Sequence, residues 1–445
     1  MLMPILRFSL VFALALTAAC DERFPAELFD SRTPRERYED GLRDAGLAGA
    51  ALARDWLGAA ERALADAPPV SLPHVEDGYL DPAAPVAFAW RFEARRGQEV
   101  TAGIDWRGSP PALVFIEIWR VKEDSSLDRV AAADSGSSTL VYEPRRSGEY
   151  VIRIQPELMR GGRFRITLRA APTLAFPVQG GTNDDIGSLY GVPRDGGRRR
   201  HQGIDVFARR GTPALAAGAA MVVRVEEDRL GGLVVWLRDR RGNSLYYAHL
   251  DTQLVREGDA VEAGDTVGLV GNTGNARRTP AHLHFSVYRR GEGPLDPYWF
   301  VARTPARPIP VAVDTAALGR WARTRSETAL LAAPDARAPR RLTLERHSAL
   351  QLTGAAGGWY RVRLPGGESG YLRASAVQEP AAAIGRIVLE QPAELARRPA
   401  APPHDVLDPG SVVAILARSE RGWLVRTESG TTGWITLSPA VSRAD

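Results

Sequence analysis

His282-Leu283-His284-Phe285-Ser286-Val287-Tyr288 reads as a β-strand, because apolar and polar side chains alternate with period two. The alternation puts His282, His284 and Ser286 on one face and Leu283, Phe285 and Val287 on the other. Two imidazoles therefore point into the same space. Working outward, Tyr246-Tyr247-Ala248-His249-Leu250 reads as a second strand, with His249 and Tyr247 expected on one face. Further upstream, His201-Gln202-Gly203-Ile204-Asp205 offers an imidazole and a carboxylate four residues apart, around a glycine expected to let the backbone turn tightly.

Neutral imidazole and carboxylate are ligands that suit zinc, and a catalytic zinc keeps three protein ligands and an open position for water. Five candidate groups exceed what one such ion takes. The surplus imidazoles are available as proton acceptor and as stabiliser of a tetrahedral oxyanion. These segments resemble the signature of the lysostaphin/LytM-type zinc metalloendopeptidases: HxxxD, a histidine in a YAHL strand, then HxH. The connecting sequence, including VREGDAVEAGDTVGLVGNTGN and PAHLHFSVYRRGEGPLDP, fits that family's glycine-turn pattern over about 125 residues. The resemblance implies one Zn2+ per chain, held by His201, Asp205 and His284. It implies that His249 and His282 handle the activated water and the oxyanion, and that the substrate is the peptide part of peptidoglycan. A non-catalytic LytM-like activator of another wall hydrolase, or a wall-binding structural lipoprotein, is the alternative. The intact set of five positions favours the enzyme. Which crosslink would be cut is open between D-Ala to diaminopimelate and a glycine bridge.

The chain has 445 residues, too many for one core. Its composition, 44% hydrophobic and 25% charged, is that of folded soluble domains. A formal net charge of +4 is too small for this length to imply a nucleic-acid binder. The fold expected is mainly β and multidomain: a metallopeptidase groove domain, an N-terminal β-sandwich, two C-terminal barrels and a short helical segment.

The N-terminus carries Arg7 and an apolar run from Phe8 to Ala19, too short to span a bilayer comfortably. The single cysteine, Cys20, follows Leu16-Thr17-Ala18-Ala19, which resembles a bacterial lipobox apart from Thr17. That resemblance implies a signal peptide over 1–19 and lipid attachment at Cys20. The implied location is the Gram-negative envelope, lipid-anchored in the periplasm. Asp21 resembles a signal for retention at the inner membrane.

A helical segment is expected over 20–77, starting near Thr33-Pro34, with Leu42, Leu47, Leu52, Trp56, Leu57 and Leu64 as its apolar stripe. Residues 78–171 read as strands. The order RGQEV, SGEYVIRIQ, GGRFRITL resembles the pre-peptidase C-terminal sandwich domain, or another all-β sandwich. The metallopeptidase segment spans 172–303, and 304–327 reads as a linker.

An internal repeat follows. Gly358-Trp359-Tyr360-Arg361-Val362-Arg363 with Gly370-Tyr371-Leu372 recurs as Gly422-Trp423-Leu424-Val425-Arg426 with Gly433-Trp434-Ile435. The two copies, 328–378 and 383–441, resemble tandem bacterial SH3-like domains. Trp359 and Trp423 are expected in their cores. Arg198-Arg199-Arg200, just before His201, read as a solvated loop. His74, His347 and His404 lie outside any motif.

Overall fold

The computed structural model describes residues 32–108, 111–304 and 307–436. The signal peptide, Cys20 and Asp21 lie outside these. The described chain is mainly β, as the sequence predicts. No helix among the described residues is long and apolar enough to cross a membrane.

The segment bearing the histidines builds a ten-stranded antiparallel sheet. Its centre runs Ala220–Asp228, Gly232–Asp239, Asn243–Gln253, His282–Arg289, Ile204–Phe207. One face of this sheet is the core. Val206, Val235, Leu245, Tyr247, Leu283, Phe285 and Val287 are fully buried there. The period-two pattern of the HLHFSVY strand thus holds in the structure.

N-terminal to it, two sheets pack face to face. One contains Phe88–Ala94, Gly148–Pro156, Val114–Val121 and Leu127–Ala132; the other contains His74–Leu80, Gly162–Pro172, Gln98–Arg107 and Thr139–Tyr142. Trp90, Phe92, Ile116, Ile152, Phe164 and Ile166 fill the space between them. The strand His74–Leu80 begins within the segment expected to be helical, and it completes this sandwich.

The helical segment is two helices, Pro34–Asp44 and Ala51–Ala65. Thr33 caps the first with a reciprocal bond to Glu36. Between them Gly46 takes a φ of 71°. Of the expected stripe, Trp56 alone is fully buried. The buried face comprises Ala53, Trp56, Ala59 and Ala60, while Leu47 is exposed. Alanines let the helix backbone approach the sheet, and Trp56 supplies most of the apolar area.

In the C-terminal region the first repeat is not separate from the sandwich. His74–Leu80 pairs with Gly162–Pro172 along one edge and with Ala349–Ala356 along the other. The segment expected as a linker contains the strand Trp321–Thr324, which pairs with Ala349–Ala356 and Val377–Gln378. The second repeat forms a six-stranded sheet of its own. Trp359 and Trp423 are buried, as expected.

Candidate metal centre

The register of the central sheet brings the distant motifs together. Asp205 lies directly opposite His284, and Phe207 opposite His282, on antiparallel strands. Their side chains therefore share the face opposite the core. His201 precedes the strand of Asp205 and folds back over it. Its Nε2 lies 3.0 Å from Asp205 Oδ1 and 3.0 Å from His284 Nδ1, and the last two atoms are 2.9 Å apart. A tetrahedral zinc with bonds of about 2.0–2.1 Å separates its ligands by roughly 3.3 Å, so the spacing fits such an ion. These three are the cluster of the described residues that could hold a metal.

The tautomers support the fit. His201 Nδ1–H donates to the carbonyl of Leu189 at 2.8 Å, leaving Nε2 with only a lone pair when the ring is neutral. His284 Nε2 lies 3.0 Å from Ser286 Oγ, turning Nδ1 toward Asp205. Lone pairs of nitrogen and a carboxylate oxygen then converge, an arrangement that a cation relieves. Burial works to raise the Asp205 pKa. Where those two ring nitrogens carry a proton instead, His201 and His284 outweigh it and hold the carboxyl far below the ordinary carboxylate range. Burial lowers the His284 pKa, against the opposing pull of Asp205.

His282 and His249 flank this trio. Their rings are 5.0 Å apart, and His249 is 5.8 Å from the His284 ring. Each donates Nδ1–H to a carbonyl, His282 to Pro280 and His249 to Thr273, both at 2.9 Å. Both thereby present a bare Nε2. Burial, with the neighbouring His284 and His282, pushes the His249 pKa down to about 4, so this ring is neutral at pH 7.

The sequence pattern fails at one point here. His249 and Tyr247 do not share a face. Tyr247 pairs with Phe285 on the core side and is fully buried. Simple alternation would bury His249 beside it. Instead His249 takes a φ of 62°, the pairing with the neighbouring strand shifts at this point, and the ring swings to the site face. Gly203 also acts differently from expectation. A Cβ there would lie 2.4 Å from Ser286 Oγ and 2.8 Å from His284 Cε1. The glycine is needed for close approach, not for a tight turn.

Sequence reasoning missed Arg194. Its guanidinium donates to Asp205 Oδ2 at 2.6 Å and to Ser188 Oγ at 2.7 Å. In an arginine-rich loop nothing in the spacing marks it. Arg199–Arg200 pair with Pro193–Arg194 as a short exposed hairpin, which carries Arg194 to the site.

A carboxylate and four imidazoles are gathered on one sheet face, and three of these groups lie close enough together to hold a metal ion. Residues 199–297 match the model for Peptidase family M23, so this segment is an M23 peptidase domain. The chain is 35% identical over 135 residues to an L-Ala--D-Glu endopeptidase of Bacillus subtilis, covering 28% of this chain and 41% of that protein. It is 35% identical over 99 residues to the peptidoglycan DD-endopeptidase ShyC of Vibrio cholerae, 22% of each. It is 33% identical over 136 residues to a lipoprotein NlpD/LppB homolog of Pseudomonas aeruginosa, 30% of this chain and 44% of that one. The chain therefore spans less than half the length of these curated relatives. Among solved structures, the catalytic domain of lysostaphin from Staphylococcus simulans is 30% identical, with 26% of this chain and 91% of that one covered and a TM-score of 0.24.

Proposed function

We propose that the chain is a zinc-dependent endopeptidase that hydrolyses peptide crosslinks of bacterial peptidoglycan. The observation that carries this reading is the convergence of His201 Nε2, Asp205 Oδ1 and His284 Nδ1 within hydrogen-bond distance, with two bare imidazole nitrogens beside them. The M23 match and the printed activities of the Bacillus and Vibrio relatives support it.

His201, Asp205 and His284 hold the metal, which when bound supplies a Lewis acid and acidifies a water. Arg194 donates to the second carboxylate oxygen of Asp205, and Oδ1 is the oxygen that would face a metal. His282, with Nδ1–H anchored on Pro280, accepts a proton at Nε2, and as an imidazolium it returns that proton to the leaving amine. His249, anchored on Thr273, faces the same space from the other side. The free ring is neutral at pH 7, so it donates from Nε2 to a developing oxyanion only after taking up a proton during the reaction. Its lowered pKa makes the His249 ring a weak base.

Around this domain, the sandwich 78–171 serves as a spacer, and the SH3-like repeats 328–378 and 383–441 contact the wall. Lipidation at Cys20 holds the protein in the Gram-negative envelope, at the inner membrane, facing the periplasm. The lipoprotein relative supports that anchoring. Its test is fractionation with labelled fatty acid: Cys20→Ser loses label and membrane association. A wild-type protein without label overturns it.

The deciding experiment is digestion of purified sacculi followed by mass analysis of the fragments. New peptide ends that require the intact chain, vanish on chelation and return with zinc are expected. Undiminished cleavage in a preparation free of divalent metal rules the mechanism out. Absence of cleavage by the zinc-loaded protein favours the non-catalytic reading.

A further inference from the structure

A second charged cavity lies outside the peptidase domain. It opens where the helix Ala51–Ala65, the strand Phe88–Ala94 and the first repeat meet, and encloses about 350 Å³. Four arginines line it: Arg62 from the helix and Arg341, Arg361 and Arg363 from the repeat. Two have acidic partners. Arg361 lies 2.9 Å from Glu76, and Arg341 lies 2.6 Å from Asp66. Arg62 and Arg363 have no carboxylate partner among the described residues. The hydrogen bond that Arg363 makes there is to the neutral amide oxygen of Gln351, at 3.3 Å. Burial lowers its pKa; Asp81 pulls the other way as the largest charge effect, and the positive charges of Arg398 and then Arg62 add to the lowering.

Arg363 is half-buried and Arg62 exposed; neither has an ion-pair partner among the described residues, and their like charges repel across the cavity they both line. The lining also includes small apolar residues, among them Ala59, Ala63, Pro85 and Val86. Guanidinium binds planar carboxylates with two parallel hydrogen bonds. We infer that this cavity binds the free C-terminal carboxylate of a short peptide with small side chains, with Arg62 and Arg363 as its cationic partners. Such termini occur on wall peptides, so the choice of peptide rests on the proposed function. The cavity itself does not, since it uses none of the five residues of the metal centre. Its effect would be to hold uncrosslinked wall peptide on the sandwich and first repeat while the peptidase domain reaches a neighbouring crosslink, raising the local concentration of scissile bonds.

The test is calorimetric titration of the intact chain with N-acetyl-D-alanyl-D-alanine and, separately, with inorganic phosphate. Saturable binding of the dipeptide is expected in the wild type and equally in His201→Ala, which removes the metal centre as an anion site. About tenfold weaker binding is expected in Arg363→Ala and in Arg62→Ala, the loss of one charge-assisted hydrogen bond each. Arg363→Lys should fall between. Arg62 lies on the exposed side of its helix, so Arg62→Ala keeps the test open if Arg363→Ala fails to fold. Arg209→Ala, in a peptidase-domain loop, should bind as wild type. Absence of saturable dipeptide binding overturns the inference. So does wild-type affinity in both arginine variants, loss of binding in His201→Ala, or phosphate binding without dipeptide binding. Digestion of sacculi reads the proposed function separately, so either can fail alone.

Discussion

At the residue scale the two imidazoles of the HxH strand are chemically alike but differently wired. His284 turns Nδ1 toward Asp205, whereas His282 gives its Nδ1 to a carbonyl and keeps Nε2 for chemistry. His284→Ala should therefore lose bound metal. His282→Ala should keep it and lose turnover by on the order of 10²–10⁴-fold. Metal content by mass spectrometry beside cleavage rates separates the two; the reverse pattern exchanges their roles. Arg194→Ala leaves the ligands in place but frees Asp205 Oδ2. Loss of such an outer hydrogen bond should weaken metal affinity by about 10–100-fold, read by competition with a chromophoric chelator. Unchanged affinity removes Arg194 from the centre. Gly203→Ala should force Ser286 and His284 apart and cost about 1–3 kcal/mol in a denaturant titration. The five candidate positions were legible because the HxH strand alternates and the three segments together resemble a family signature; alternation alone misplaced His249. Arg194 and the left-handed turn at His249 were not legible, because one depends on a hairpin folding over the site and the other on a local break in pairing.

At the element scale, strands were easier to read than helices. A strand buried on one face declares itself every second residue, as in Leu283, Phe285 and Val287. The helix Ala51–Ala65 instead packs through alanines, which carry almost no signal in a hydrophobic pattern, and one tryptophan. Trp56 is 1% exposed, donates Nε1–H to the carbonyl of Pro156 at 2.8 Å, and lies under the guanidinium of Arg35 at 4.6 Å. Tyr38 and Phe115 complete the cluster. This one side chain ties both helices to the sandwich. Trp56→Ala should cost about 3–5 kcal/mol through the cavity it leaves. Denaturant unfolding followed by circular dichroism measures it. A cost below about 1 kcal/mol would mean that the helices do not depend on that anchor.

At the scale of the whole molecule, the repeat in the sequence suggests modules on a string, and the structure joins them. Pairing of His74–Leu80 with both Gly162–Pro172 and Ala349–Ala356 makes one sheet of sandwich and first repeat. No local pattern announces a pairing between residues nearly 300 positions apart. The join is sealed by charge. Glu76, fully buried, accepts hydrogen bonds from Trp90 Nε1 at 2.7 Å and Tyr371 Oη at 3.0 Å, and its other oxygen lies 2.9 Å from Arg361 Nε. That last contact is close but poorly aligned for a hydrogen bond, so it acts as an ion pair. Arg361 in turn lies over Phe88 and Trp90 of the sandwich. Removing one partner of such a pair costs about 3–5 kcal/mol, because the other charge is left buried. Glu76→Gln should therefore destabilise the sandwich and the first repeat together. The pH dependence follows from the same contacts. Burial raises the Glu76 pKa, but Arg361 and the hydrogen bonds from His74 and Trp90 outweigh it, and the net pKa is lowered. A carboxyl with a lowered folded-state pKa stabilises fully above its ordinary value of about 4.3, and that stabilisation is lost as pH falls toward the folded-state value. The stability difference between wild type and Glu76→Gln should thus be constant from pH 7 down to about 5 and shrink below about 4. Thermal unfolding of both proteins across that range measures it. Taking the difference cancels the acid sensitivity of Asp205 and the other carboxylates, which both proteins share. A difference that stays flat from pH 7 to pH 3 would mean that the Glu76 carboxyl titrates alike in the folded and unfolded protein, so that its ionisation adds no net stability to the joint.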